Sequence, residues 1–254
     1  MNRNREAESQ LPSSSRWLLV INTLFAGASA LSNIFLNIYF WKKLHHFEQI
    51  AVYNFFIFFF TALGYVTAGW LAKRTDRLYT LRIGVAILAA FYILILTLGS
   101  QAAALYALLG GFLGFGTGFY WLSINVLVFE VTEPDTRDEF NGANAFLFAV
   151  ASVAAPMLAG KILTTLPERG YYILFLISFV LFVAAVTCTR FLHRHQGPAS
   201  YNLYAGFRPK EHGVLWRQTL TMAFSMGFRE GTLAFLPFLL VFVVTKNEML
   251  AGRY

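Results

Sequence analysis

Charge is scarce in this sequence. Only 13% of its 254 residues are Asp, Glu, Lys or Arg, while 57% are hydrophobic, and the mean hydropathy is +0.56. A soluble domain carries about a quarter charged residues, so this composition excludes an ordinary soluble fold and leaves a membrane protein, which the long apolar runs make an all-α polytopic one. Cysteine is nearly absent: Cys188 stands alone inside an apolar run, which rules out an internal disulfide and any cysteine-based metal spacing. The pairs His45-His46 and His193-x-His195 have only Glu48, or no acid at all, beside them, so they read as solvated loops. Neither a metal site nor a cofactor is expected. The H-E-x-x-H and G-x-S-x-G motifs are missing, as is any pair of acids within the first six apolar runs, so no enzyme is expected. A retinal protein needs a lysine in the middle of its last span, whereas Lys246 lies at the end of one and the third span offers no acidic counter-ion. The net charge of +7 gathers at the ends of apolar runs, where it serves topology and contact with anionic lipid. No nucleic-acid partner is expected.

What is present is a series of apolar runs, each near or above the roughly 20 residues that cross a bilayer. Spans are expected at 17–40, 50–72, 81–98, 102–129, 143–164, 171–191 and 219–244. The polar residues 1–16 form an expected tail. A signal peptide competes for the first span, since Ala26-Gly27-Ala28-Ser29-Ala30 offers small residues for cleavage; the apolar run continues well past that point, which favours a span. Short turns are expected at Gly99-Ser100-Gln101 and at Leu166-Pro167-Glu168-Arg169-Gly170, with a polar connector over 194–218. Cations on the side of the tail (among them Arg3, Arg5, Arg16, Lys73, Arg74, Arg77, Arg82, Arg190 and Arg217) outnumber those on the other side (Lys42, Lys43, Lys161, Arg169, Lys246 and Arg253) by about two to one, which places the amino terminus inside.

Three spans carry polar or small residues on one face. In the first, Asn22, Ala26, Ser29, Asn33 and Asn37 recur at helical spacing. Such a face is either a hydrogen-bonded seam between helices or the wall of a water-filled cavity. In the fourth, Gly110, Gly114 and Gly118 lead to Trp121 and Asn125 on the same face, a row expected to let a neighbouring backbone approach closely. In the last, Thr221, Ser225, Arg229 and Thr232 align, with Glu230 beside the arginine. A charge within a span is expected to be functional. Adjacent helical positions do not face each other, so Arg229 and Glu230 are each expected to find a different neighbour, and Arg229 is a candidate for an anion or carboxylate site.

The sequence between the second and third spans, Gly69-Trp70-Leu71-Ala72-Lys73-Arg74-Thr75-Asp76-Arg77, resembles the loop signature of the major facilitator superfamily, G-x-L-A-D-R-x-G-R-R/K. Gly69, Leu71, Ala72, Arg74 and Arg77 match; Lys73 replaces an acid and Asp76 a glycine. The acids Glu130, Glu133, Asp135, Asp138 and Glu139 follow the fourth span as an expected acidic loop, and the family pairs its signature arginine with an acid at the end of the fourth helix. The resemblance thus implies that Gly69, Arg74, Asp76, Arg77, Glu130 and Glu133 gate the carrier. The fourth span lacks the arginine of the drug-antiporter branch, and Pro156 and Gly160 fit the antiporter G-P-x-x-G motif only with an offset.

The resemblance implies a six-helix half (17–193) built as a three-plus-three inverted repeat, the connector, and one further transmembrane helix (219–254) of a second half. It implies a secondary active transporter of a small solute, working by alternating access in the plasma membrane. Its first helix then lines the central cavity, which turns the polar face of the first span toward the cavity reading. Asn22, Ser29, Asn33, Asn37, Trp121, Asn125, Ser225, Arg229, Glu230 and Thr232 form the expected substrate pathway. The expected partners are a small solute of unknown class, membrane lipids and a coupling ion. With one helix of the second half present, the chain reads as the amino-terminal part of a longer carrier. The alternative is a noncatalytic membrane subunit or an inactive remnant.

Overall fold

The structure, a computed structural model, describes residues 11–192 and 213–253 apart from Ala234. The first ten residues and most of the expected connector, with His193, His195, Arg208 and Lys210, lie outside the described residues. The helices are α1 (Ser13–Leu44), α2 (Phe47–Arg74), α3 (Arg77–Leu98), α4 (Tyr106–Val131), α5 (Pro134–Thr165), α6 (Gly170–Cys188), α7 (Gly213–Leu233), α8 (Leu236–Thr245) and α9 (Glu248–Ala251). Among the described residues there is no strand, and six stretches are long and apolar enough to cross a membrane. One of them, Arg77–Val131, holds both α3 and α4, which double back at a 3-10 turn, Gly99–Leu105. Gly99 opens that turn at φ 52, a conformation that glycine adopts without strain. The minimal turn expected at 99–101 is therefore a longer, ordered element.

The helices outrun the expected spans because polar residues close them instead of interrupting them. Lys42 and Lys43 occupy the last turn of α1, and Lys73 and Arg74 that of α2, where cations oppose the negative end of the helix dipole. The basic loop shrinks to Thr75-Asp76. Asp76 is the N-cap of α3, its Oδ1 accepting from Leu78 N at 3.2 Å, so the acid in the glycine's place satisfies a helix end. The acidic loop is a correction of the same kind. Glu130 belongs to α4, only Thr132 and Glu133 separate α4 from α5, and Asp135, Asp138 and Glu139 lie in the opening turns of α5. Pro134 takes a first-turn position suited to its fixed φ, and Glu133 N donates to Thr136 Oγ1 at 3.2 Å. Acids at a helix start are stabilised by its dipole.

The last span, expected at 219–244, is found as Gly213–Thr245. Within it α7 ends at Leu233 and α8 begins at Leu236, with Pro237 in the first turn of α8. Proline has no N–H to donate and disfavours helix in the residue before it.

The α2/α4 contact is the tightest in the bundle. A Cβ on Gly110 would lie 2.5 Å from Tyr53 O, and one on Gly114 or Gly118 closer still to Ile57 O or Thr61 O. The paired numbers rise together, so the two helices run parallel, backbone against backbone. Against α3, by contrast, Gly84 meets Tyr120 and Gly116 meets Ile87, an antiparallel pairing. At the centre, α1 is tied to its neighbours by buried hydrogen bonds: Ser32 with Tyr92 of α3, Ser178 Oγ of α6 to Ala28 O at 3.2 Å, and Asn54 Nδ2 of α2 to Asn37 Oδ1 at 2.6 Å. Phe25 stacks on Tyr120 with centroids 3.5 Å apart. Large apolar side chains such as Phe55, Phe59, Phe146 and Leu158 point outward, as a lipid-facing surface requires.

Candidate functional site

The polar face of α1 divides between the two roles open to it. Asn22 belongs to a seam: Tyr120 OH donates to its Oδ1 at 2.7 Å, and its Nδ2 donates to Asn144 Oδ1 of α5 at 2.9 Å. Asn37 is likewise bonded, accepting from Asn54 and donating to Asn33 O at 3.0 Å. Ser29 and Asn33 open onto a cavity of about 340 Å³ that Asn37 also lines, enclosed by α1, α2, α4 and α5, with Leu88 of α3 at its margin. A second cavity of about 190 Å³, lined by Asn22, Tyr120, Asn125, Asn141 and Asn144, lies between α4, α5 and α1. Trp121 and Phe148 line both cavities, their rings 6.4 Å apart. Trp121 therefore stands where the two spaces meet, and Asn125 one turn further along α4 donates to Tyr65 OH at 3.3 Å.

Among the described residues, neither cavity has a carboxylate in its lining and the one cation is Arg137, at the smaller cavity. Its guanidinium is held by Thr132 Oγ1 and Thr132 O, each at 3.1 Å, and lies over the Phe129 ring.

The signature arginine ends beside an acid. Arg77 Nε lies 2.9 Å from Glu130 Oε1, the two side chains being 11% and 22% exposed. This joins the start of α3 to the end of α4. Arg74 stacks over Trp70 at 3.9 Å, Gly69 is buried in α2, and Glu133 is the N-cap of α5. The same end of the bundle carries a bond that the spacing gave no reason to expect: Arg82 donates from Nε to Thr189 Oγ1 and from Nη2 to Thr189 O, each at 3.1 Å, stapling α3 to the end of α6.

The last helices divide as well. Ser225 lines an open crevice whose walls, among the described residues, all belong to α7. Arg229 and Glu230 line neither enclosed cavity and pair with each other, Nη2 to Oε1 at 2.7 Å, with more than half of each side chain exposed. The expectation of separate partners is overturned, because two long side chains on an exposed helix can bend toward one another although their Cβ atoms diverge. The side chain of Thr232 lies outside the described residues. At the opposite end of the bundle α9 docks on α5, where added Cβ atoms on Gly160 and Gly252 would meet Met249 Cα at 2.9 Å and Pro156 O at 2.5 Å. Lys42 of α1 pairs there with Glu248.

Tyr53, Asn54, Thr61, Thr117 and Phe148 complete the larger cavity, and sequence reasoning passed over them. Asn54 and Thr61, seven residues apart on one face of α2, were the available signal.

Residues 18–252 match the family described as Major Facilitator Superfamily. A protein of Bacillus subtilis (strain 168) named "Uncharacterized protein YqgE" is 40% identical over 239 residues, which are 94% of this chain and 56% of that protein. A Geobacillus stearothermophilus protein named "Uncharacterized protein in sodM 3'region" is 40% identical over 195 residues, 76% of this chain and 91% of that protein. The chain thus spans little more than half the length of the first of these relatives. With the helical bundle, its apolar spans and a family match over almost its whole length, the chain belongs to the major facilitator superfamily of membrane transporters.

Proposed function

We propose that the chain acts in secondary active transport of a small solute by alternating access, in the plasma membrane with its amino terminus in the cytoplasm. The observation that carries this reading is the pair of cavities meeting at Trp121, in a chain that belongs to a transporter superfamily. Ser29, Asn33, Asn37, Trp121 and Asn125 form the pathway on the first half. Ser225, Arg229, Glu230 and Thr232 extend it along α7, with Arg229 able to meet an anion only after leaving Glu230. Asn22 braces the wall. Residues 17–193 act as one half, joined through a connector to residues 219–254 of a second.

Gating is assigned to the cytoplasmic end. The Arg77–Glu130 pair, supported by Arg74, Gly69, the Asp76 cap and the Glu133 cap, holds α3 and α4 in one arrangement. An exposed pair contributes about 0–1 kcal/mol, and this partly buried one somewhat more. A bias of that size shifts a conformational equilibrium several-fold.

The test is solute exchange. Proteoliposomes containing the chain are loaded with a cell extract of small molecules, and the lumen is profiled by mass spectrometry after dilution. Selective loss of particular solutes, abolished by Trp121→Ala, is the expected result. The competing reading, a noncatalytic subunit or inactive remnant, predicts profiles identical to protein-free liposomes.

A further inference from the structure

Resting on that transport reading, we propose that the larger cavity binds an uncharged amphipathic solute, with a hydroxyl- or amide-bearing head against Asn33, Asn54 and Tyr53 and a ring or hydrocarbon body against Trp121, Phe25 and Phe148. At about 340 Å³ the cavity falls within the range of roughly 300–1,000 Å³ used by small-ligand sites. Among the described residues, no Asp, Glu, Lys, Arg or His lines it. A charged solute would surrender its hydration there with no opposite charge to replace it, which is strongly unfavourable; a neutral solute has no such barrier.

Polar and apolar groups are unevenly spread along the lining. Asn33, Asn37, Tyr53 and Asn54 lie toward the α1–α2 connection, and Phe25, Trp121 and Phe148 lie deeper, toward the smaller cavity, together with Ser29 and with Thr61 and Thr117, whose hydroxyls are bonded to Ile57 O and Leu113 O of their own helices. The head of a solute therefore points toward the His45-His46 end and its apolar body toward Trp121.

The hydrogen-bonding groups at the polar end are not used up by the protein. Asn54 spends its Nδ2 on Asn37 Oδ1 at 2.6 Å and on Ile50 O at 2.8 Å, which leaves its carbonyl as an acceptor. Asn33 is exposed on this wall, and only its backbone carbonyl is engaged, by Asn37. Tyr53 is 1% exposed, its ring 4.8 Å from Phe40, and its hydroxyl has no hydrogen-bond partner among the described residues. A buried hydroxyl without a partner is costly, and a side-chain shift that brings it to a bound head group relieves that cost. Both donors and acceptors are on offer, which suits hydroxyl and amide groups; a carboxylate or phosphate would find the acceptors opposed to it. Trp121 meets Phe25 edge-on at 5.6 Å, a corner in which an apolar ring can rest.

The test is equilibrium dialysis of the 254-residue chain in lipid nanodiscs with three radiolabelled probes that share a benzene ring: neutral phenyl β-D-glucopyranoside, anionic phenyl phosphate and cationic phenyltrimethylammonium. The glucoside is expected to bind saturably and at least about tenfold more tightly than either ion. Asn33→Ala and Tyr53→Phe should each weaken it about three- to tenfold, the effect of one hydrogen bond. Trp121→Phe should weaken it less than Trp121→Ala, and Asn141→Ala, in the smaller cavity only, should leave it unchanged. Equal or tighter binding of either ion, no saturable binding of the glucoside, or indifference to Asn33→Ala overturns the proposal. Flux of the same probes separates it from the transport reading. Glucoside bound but never carried removes transport and keeps the solute class, whereas flux of an ion without glucoside binding does the reverse.

Discussion

The glycine row on α4 gives opposite predictions according to whether helix propensity or packing decides, so Gly114→Ala discriminates between them. Alanine is better than glycine in a helix interior by about 1 kcal/mol, and on that ground alone the variant should be more stable. In the structure, however, a Cβ at position 114 would fall under 2.5 Å from Ile57 O, with Tyr53 O and Thr61 O similarly placed opposite positions 110 and 118. Relieving that overlap means moving parallel backbones apart by about 1 Å, where even a small gap forfeits much of the dispersion energy. Overpacking of this kind costs about 1–3 kcal/mol, and separating the helices also weakens Cα–H to carbonyl contacts worth about 0.5–1 kcal/mol each. The net expectation is destabilisation by about 1–3 kcal/mol. Reversible unfolding in mixed micelles, titrated with SDS and followed by circular dichroism, measures it. Gly142→Ala is the control, because nothing lies within 4 Å of the added Cβ, and it should be neutral or stabilising by up to about 1 kcal/mol. A Gly114→Ala protein as stable as the parent, or one that moves with Gly142→Ala, would refute the close α2/α4 contact.

Other expectations follow from single contacts. Arg77→Gln and Glu130→Gln should each lower stability by about 1–3 kcal/mol by leaving a partly buried polar partner behind, and the double variant should lose less than their sum; additive losses would mean that the 2.9 Å pair is not coupled. Lys42→Cys with Glu248→Cys, in a Cys188→Ser background, should cross-link under mild oxidation because α9, docked on α5, brings Glu248 against Lys42 at the end of α1; no cross-link with both thiols reactive would contradict that placement. Reporter fusions after Ser15 and Gln196 should read as cytoplasmic and one after His46 as external, and finding His46 and Gln196 on one side would overturn the topology.

The apolar runs made the helices legible, because span length is imposed by the membrane and needs no knowledge of neighbours. Their ends were less so: Glu133, Pro134 and Asp135 look like loop in a hydropathy reading, yet their cap and first-turn roles begin a helix. The break before α8 was signalled by Pro237 and overlooked among apolar neighbours. For the site, the repeat of Asn22, Ser29, Asn33 and Asn37 placed all four on one face correctly, but periodicity is blind to what stands opposite. Asn22 faces Tyr120 and Asn144 while Ser29 faces open space, a difference set by residues about a hundred positions away. Arg229 shows the converse, since a local ion pair satisfied a charge for which a distant partner was expected.

The most direct test of alternating access is thiol labelling at the junction of the two cavities. Trp121→Cys in a Cys188→Ser background is exposed to a membrane-impermeant maleimide in right-side-out and in inverted vesicles, with and without Arg77→Glu. Modification from both sides is expected in the parent, and with Arg77→Glu a several-fold shift in the ratio of the two rates toward the face bearing the Arg77–Glu130 pair. A cysteine at position 121 that is modified from neither side, or from one side only in both backgrounds, would contradict alternating access.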